Sequence, residues 1–252
     1  MSYNFIFDGK HSLNDMDIYT ELKSYPLFAE PKTVYEDIAG ADGELNFTSC
    51  NPRQRMCFKP RIIELECHFA DKSESKTGYA NKIRTIANWL ATANDKVLTF
   101  ESEPGIEYMA HAANLFNIEN ITDFSGTFPL VFKCQPFKFS TEEKVVGPTT
   151  VASIYNSGYY TDIVFEITGT SSSGFTLSSD NNPDKQLKVN AAMSGATVIV
   201  DSSDMSVKMN GVSILNKCEG DFFELHPGQD IISISPSNGS VKFTAKYRER
   251  FL

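Results

Sequence analysis

From residue 151 to the end, short runs that alternate apolar and polar residues arrive about every ten positions, each closed by a turn signal. No helical period interrupts them. A side-chain period of two means a strand with one buried face, and turns at that spacing leave hairpin-connected, antiparallel strands. The expected fold of residues 151–252 is therefore an antiparallel β-sandwich. In Asp162–Thr168 the inward set is Ile163, Phe165 and Ile167; Gly174–Ser178, Gln186–Asn190 and Ala196–Asp201 follow. Met205–Met209 and Val212–Leu215 read as a hairpin across Asn210-Gly211. Phe222, Phe223 and Leu225 then run into a Pro227-Gly228 turn, where Pro presets one dihedral and Gly supplies a positive one. An Ile/Ser strand reaches Asn238-Gly239, a second hairpin signal, before the last strand, Val241–Tyr247.

The first half adds one helix. Tyr79, Ile83, Ile86, Ala87, Leu90 and Ala91 recur at three- and four-residue steps, which predicts an amphipathic helix from Gly78 to Ala93. Ser75 or Thr77 can cap its start, Asn94-Asp95 ends it, and Trp89 beside the stripe reads as a packing residue. Strands are expected at Asn4–Phe7, at Glu44–Thr48 after the Gly40–Gly43 turn, at Val97–Glu101, Tyr108–Leu115 and Phe116–Ile121. Two more alternate cleanly. One buries Ile63, Leu65, Cys67 and Phe69; Asp123–Phe139 buries Phe128, Leu130, Phe132 and Cys134 before Pro136 interrupts it. Residues 13–39 show no clear period, and Met16–Leu22 and Pro31–Ile38 read as strands or extended loops. The fold class is mainly β with one helix: an α+β domain over 1–141, a polar linker over 142–150, and the sandwich over 151–252.

Charge and cysteine usage narrow the function. A net charge of −9 with no basic tail argues against sequence-independent nucleic-acid binding, which needs a basic patch to displace counterions. The longest apolar runs are strand-sized, so no membrane span is expected, and the first residues do not read as a secretion signal, which suits synthesis in a cytoplasm. The five cysteines form no C-x-x-C pair, so no zinc or redox motif is indicated.

Each candidate for chemistry has a plainer reading. Glu64, Glu66 and His68 share a strand face and can hold a metal, but alternation alone produces such a set on a solvated face. Asp180–Asp184 is rich in oxygen ligands, yet lacks the Gly and terminal Glu of a calcium loop and matches a turn. Tyr155, Tyr159 and Tyr160 can make a sugar-stacking platform or simply pack at a rim. Arg53, Arg55, Lys59 and Arg61 form the densest basic segment, a solvated loop or a contact for an acidic neighbour or another copy of the chain. No nucleophile elbow or phosphate loop is present. No catalytic, cofactor-binding or metal residue is assigned, no cofactor is implied, and an enzyme is not expected.

Taken in order, these pieces resemble the distal tail proteins (Dit) of siphophages that infect Gram-positive bacteria, the siphophage tail component family. Gly40-Ala41-Asp42-Gly43-Glu44-Leu45 resembles the family's G-x-D-G-x-L turn, and Phe58-x-x-Arg61-Ile62-Ile63-Glu64-Leu65 its following strand. Asn88-Trp89-Leu90 with Val97–Glu101 is similar to its helix–strand step, and Phe132–Lys138 to its F-x-C-x-P-[FY] segment. In the second half, Tyr155-Asn156-Ser157-Gly158 resembles the N-x-G start. Leu225–Ile231 resembles L-x-P-G-x-N-x-I, with Asp230 where Asn is usual. The resemblance implies a ring-forming (belt) domain followed by a galectin-like sandwich. It implies a homo-hexamer, as one ring or two back to back, at the tail tip of the virion. Implied partners are the tail tube protein, the tape measure protein, the tail-associated lysin or tail fibre protein and, in some relatives, receptor-binding proteins. No membrane is involved, and DNA meets the protein only in passage through the channel. The rival expectation is a host cell-wall glycan-binding module acting through the second domain.

Overall fold

A computed structural model describes residues 3–40, 42–50, 55–70, 75–113, 119–122 and 125–252. The chain divides into two compact units, residues 1–138 with 252, and residues 139–251.

The first unit is a sheet with one helix. Its main strands are β1 (Phe5–Phe7), β2 (Ile18–Ser24), β3 (Arg61–Phe69), β4 (Lys96–Phe100), β5 (Ile106–Ala112) and β6 (Ser125–Ser140), in the spatial order β1-β4-β5-β6-β3-β2, with Lys10–His11 outside β1. The alternation in β3 and β6 decides which side chains go inward: Ile63, Leu65 and Cys67 pair across with Phe132, Leu130 and Phe128, and these six are buried, as are Phe69 and Cys134. Helix α1 (Lys76–Leu90) starts at Ser75, whose hydroxyl accepts the Gly78 N–H at 3.1 Å. It ends three residues before the expected Ala93, because Ala91 leaves helical geometry after closing the last turn to Ala87. Ile86, Trp89 and Leu90 bury its apolar side in a core that includes Phe5, Phe7 and Phe132.

Pro136 does not interrupt β6. The ladder with β3 ends at the Cys134–Arg61 pair, so the missing N–H falls where no partner demands it. Ile18–Ser24 is the strand expected within Met16–Leu22, shifted by two residues. Pro31–Ile38 becomes two short strands, Pro31–Lys32 and Tyr35–Asp37, which pair with Cys57–Phe58 and Glu44–Asn46. The expected strand Phe116–Ile121 is described only from Glu119, where Glu119–Thr122 pairs with β6.

The second unit is a two-sheet sandwich around one core. Its main strands are β7 (Lys144–Thr149), β8 (Val151–Asn156), β9 (Ile163–Ser171), β10 (Phe175–Ser179), β11 (Gln186–Val189), β12 (Val198–Asp201), β13 (Ser206–Met209), β14 (Gly228–Pro236) and β15 (Gly239–Tyr247). One sheet runs β7-β15-β9-β12-β13 and the other β8-β14-β10-β11. Residues 144–149, expected as linker, are strand β7 on the edge of the first of these.

The two Asn-Gly signals have different outcomes. At Asn210-Gly211 both residues take positive φ, 48° and 82°, the geometry of a tight hairpin. At Asn238-Gly239 only Gly239 does, with φ 105°. There the chain crosses between sheets: β14 pairs with β8 and β10, whereas β15 pairs with β7 and β9. A Cβ on Gly239 would collide with the Thr170 carbonyl, so glycine admits the close approach of β15 to β9.

Candidate functional site

The sequence candidates for chemistry disperse into structural roles. On the outward face of β3, Glu66 pairs with Lys23 Nζ at 3.0 Å and the His68 ring stacks on Tyr19 at 4.8 Å. Among the described residues no group of three His, Cys, Asp or Glu side chains has metal-holding geometry.

Residues 180–184 form a turn wired to one buried carboxylate, Asp230. Its Oδ2 accepts the Ser179 hydroxyl at 2.7 Å and its Oδ1 accepts the Asn181 N–H at 3.2 Å. Asn181 Nδ2 donates to the Gln229 carbonyl at 2.8 Å, and buried Asn182 donates to Ser179 Oγ at 3.1 Å. The Asp230 oxygens are hydrogen-bond acceptors for the turn. In sequence, the only signal at Asp230 is its place where the resembling motif usually has Asn.

The three tyrosines do not form one platform. Tyr155 stands 63% exposed on the outer face of β8, opposite Gln229. Tyr159 and Tyr160 meet edge-on at 5.0 Å, and Tyr160 continues to His226 at 4.8 Å. Asn156 sets this corner: its Nδ2 donates to the carbonyls of Tyr159, Leu225 and His226, and its Oδ1 accepts from Gly158 N–H at 3.1 Å.

In the first unit, the Glu103 carboxylate ties four elements together. Lys138 Nζ donates to it at 2.6 Å, and the hydroxyls of Tyr25 and Tyr108 each donate at 2.5 Å while touching one another. Burial pushes Glu103 upward, but Lys138 and the two phenols more than reverse it and hold the carboxyl below its usual range. Burial and Glu103 push Tyr25 up to about 12 and raise Tyr108 as well. A carboxylate so engaged is a fixed charge, unsuited to proton transfer near neutrality.

The basic segment also resolves differently from its expectation. Arg53 lies outside the described residues. Lys59 pairs with Glu30 at 2.6 Å. Arg61 is no loop residue: it opens β3 only 2% exposed, with Nε donating to the Pro136 carbonyl at 2.8 Å and Nη1 to that of Pro26 at 3.0 Å. Carbonyls from two distant prolines thus take the place of solvent at Nε and Nη1 of its guanidinium.

The feature that sequence reasoning missed is an arm. Every described residue from 32 to 47 is exposed, although the segment contains Val34, Tyr35, Ile38, Leu45 and Phe47. Tyr35–Asp37 pairs with Glu44–Asn46, and Phe47 N–H extends the ladder to the Val34 carbonyl at 2.8 Å. Alternation then puts Val34, Ile38, Leu45 and Phe47 on one face, around Glu36, and Tyr35, Asp37, Glu44 and Asn46 on the other. An apolar hairpin face this exposed is suited to contact rather than to catalysis.

Two family descriptions match the chain: "Phage tail protein RIFT-related domain" over residues 10–134 and "Siphovirus-type tail component, C-terminal domain" over residues 156–251. Among solved structures, the chain is similar to the Dit protein of phage SPP1, described as "a Paradigm of Hub Adsorption Apparatus in Gram-positive Infecting Phages". That match has 18% identity, covers 99% of each chain and has a TM-score of 0.79. A second match, to the baseplate of phage p2, has 8% identity, covers 100% of this chain and 99% of the other, and has a TM-score of 0.43. No curated protein sequence matches significantly.

Proposed function

The chain belongs to the siphophage tail component family, the distal tail (Dit) proteins, and on that premise we propose that it is the structural hub at the tip of a long, non-contractile phage tail. Six copies close a ring through head-to-tail contacts of the first unit, an arrangement that ends when the rotation returns to its start. The ring joins the tail tube on one side to the tail-associated lysin or fibre protein on the other. It leaves an axial channel for the tape measure protein and DNA. The ring-forming domain corresponds to residues 1–141 and the galectin-like sandwich to 151–252, with the virion tail as the site of action.

The observation that carries this reading is that both family matches occur in order, one on each unit. The fold likeness to the SPP1 hub protein along nearly the whole chain supports it. Light scattering and negative-stain microscopy of the full chain test it. The expected particle is a ring of six 28.1 kDa chains, or two such rings back to back. A monomer or dimer at every concentration tried would overturn the ring.

A further inference from the structure

We propose that Asn238 is a site of spontaneous covalent modification, at which the side-chain amide is lost to give aspartate or isoaspartate, and that the fold withholds the same chemistry from Asn210. The inference is independent of the ring reading.

The reaction needs a carboxamide carbon, the backbone nitrogen of the next residue and the freedom to bring them together. Once that N–H gives its proton to hydroxide, the nitrogen attacks Cγ. The N–Cγ bond forms, the Cγ–Nδ2 bond breaks, and ammonia leaves. Water then opens the five-membered imide. Breaking the new N–Cγ bond gives aspartate; breaking the original peptide bond gives isoaspartate. A following glycine leaves the nitrogen unshielded, and the chain has two such pairs, Asn210-Gly211 and Asn238-Gly239.

The structure separates them. Asn210 is held twice: its Oδ1 accepts the Thr197 N–H at 3.1 Å, and its own N–H donates to the Thr197 carbonyl at 2.9 Å. Turning its Cγ onto the Gly211 nitrogen gives up the first of these bonds. Asn238 is exposed, and its carboxamide has no hydrogen-bond partner among the described residues.

The nitrogen beside Asn238 is free as well. Strand β15 pairs with β9 in unbroken register from Ile163–Tyr247 to Ser171–Gly239. Ile163 directs its N–H and carbonyl to Ser202, and the Gly169 carbonyl accepts from Gly195, so alternate β9 residues turn their main-chain groups away from β15. Ser171 is of that set, and Gly239 opposite it therefore turns its N–H away from β9. On the other side of β15, strand β7 pairs only as far as Phe243. An isoaspartate would lengthen the main chain by a methylene at this crossing between sheets, beside a glycine already too close to the Thr170 carbonyl for a Cβ.

Peptide mapping by mass spectrometry tests this on the full chain, aged at neutral and at alkaline pH, folded and in urea. In the folded chain the Asn238 peptide is expected to gain one mass unit, faster at alkaline pH. Its rate is expected to exceed that of Asn210 about fivefold or more, the factor that one retained hydrogen bond supplies. In urea the ratio is expected to fall towards one. Asn238→Gln is expected to abolish the gain with thermal unfolding unchanged, since the longer side chain does not close a five-membered ring. A folded Asn238 that stays intact while the unfolded one converts overturns the proposal, as does an Asn210 that converts equally fast in the folded chain. A ratio that persists in urea overturns the part assigned to the fold.

Discussion

The indole Nε1–H of Trp89 donates to the Phe7 carbonyl at 2.9 Å, and its ring lies parallel to Phe5 at 5.7 Å. One side chain therefore fixes α1 onto β1 by polar and apolar contact together, across 82 residues of chain.

Trp89→Phe keeps an aromatic in the core but leaves the Phe7 carbonyl without this donor. A loss of about 1–3 kcal/mol in unfolding free energy is expected, measured by urea titration. An unchanged midpoint would show that the indole N–H contributes nothing.

Both carboxylate oxygens of Asp230 accept hydrogen bonds at the 180–184 turn, from the Ser179 hydroxyl and the Asn181 N–H. Asp230→Ala is expected to destabilise by about 2–4 kcal/mol, as two buried hydrogen bonds are lost. Asp230→Asn retains one acceptor and should fall within about 1 kcal/mol of wild type. Equal losses for the two variants, in parallel denaturant titrations, would contradict the assigned roles.

Acid stability follows from Glu103. Its folded pKa lies below the unfolded value of 4.5, so the unfolded chain binds the proton first as pH falls. The stabilisation from this group is complete above that value and is lost as pH drops through the folded pKa. Glu103→Gln is expected to be less stable than wild type at neutral pH, with the gap narrowing below pH 4.5 in melts taken at successive pH values.

Thiol reactivity should separate the five cysteines by burial. Cys50 and Cys57 are exposed, Cys218 is intermediate, and Cys67 and Cys134 are buried. Burial raises the Cys67 thiol and pushes Cys134 up to about 12, so neither offers thiolate near neutrality. Ellman's reagent on the native protein is expected to titrate two thiols quickly, one slowly, and two only on unfolding. A fast third thiol at Cys67 or Cys134 would argue against the core assignment.

Face and period were legible along the chain, because alternation is a local property of the backbone. Ile63 to Phe69 and Phe128 to Cys134 could be assigned to a buried face without knowing what they face. The helix start at Ser75 and the Asn210-Gly211 hairpin are equally local, decided within a few residues by capping and by positive φ. The family, too, could be read from ordered turns and strand ends.

Partners were not legible, because they depend on residues far away in the chain. Asn238-Gly239 looks like Asn210-Gly211 in sequence, but the close approach of β15 to β9 turns it into a crossing between sheets. Arg61 reads as the end of a basic loop until the carbonyls of Pro26 and Pro136 surround it. Asp230 reads as a turn residue until Ser179 and Asn181 donate to it. The arm escaped for the converse reason: Val34, Ile38, Leu45 and Phe47 have the composition of a core face, and only the fold shows that they stay exposed. Sequence alone determined which side chains point together; tertiary structure decided what they meet, since burial and pairing are set by non-local packing that a local period does not encode.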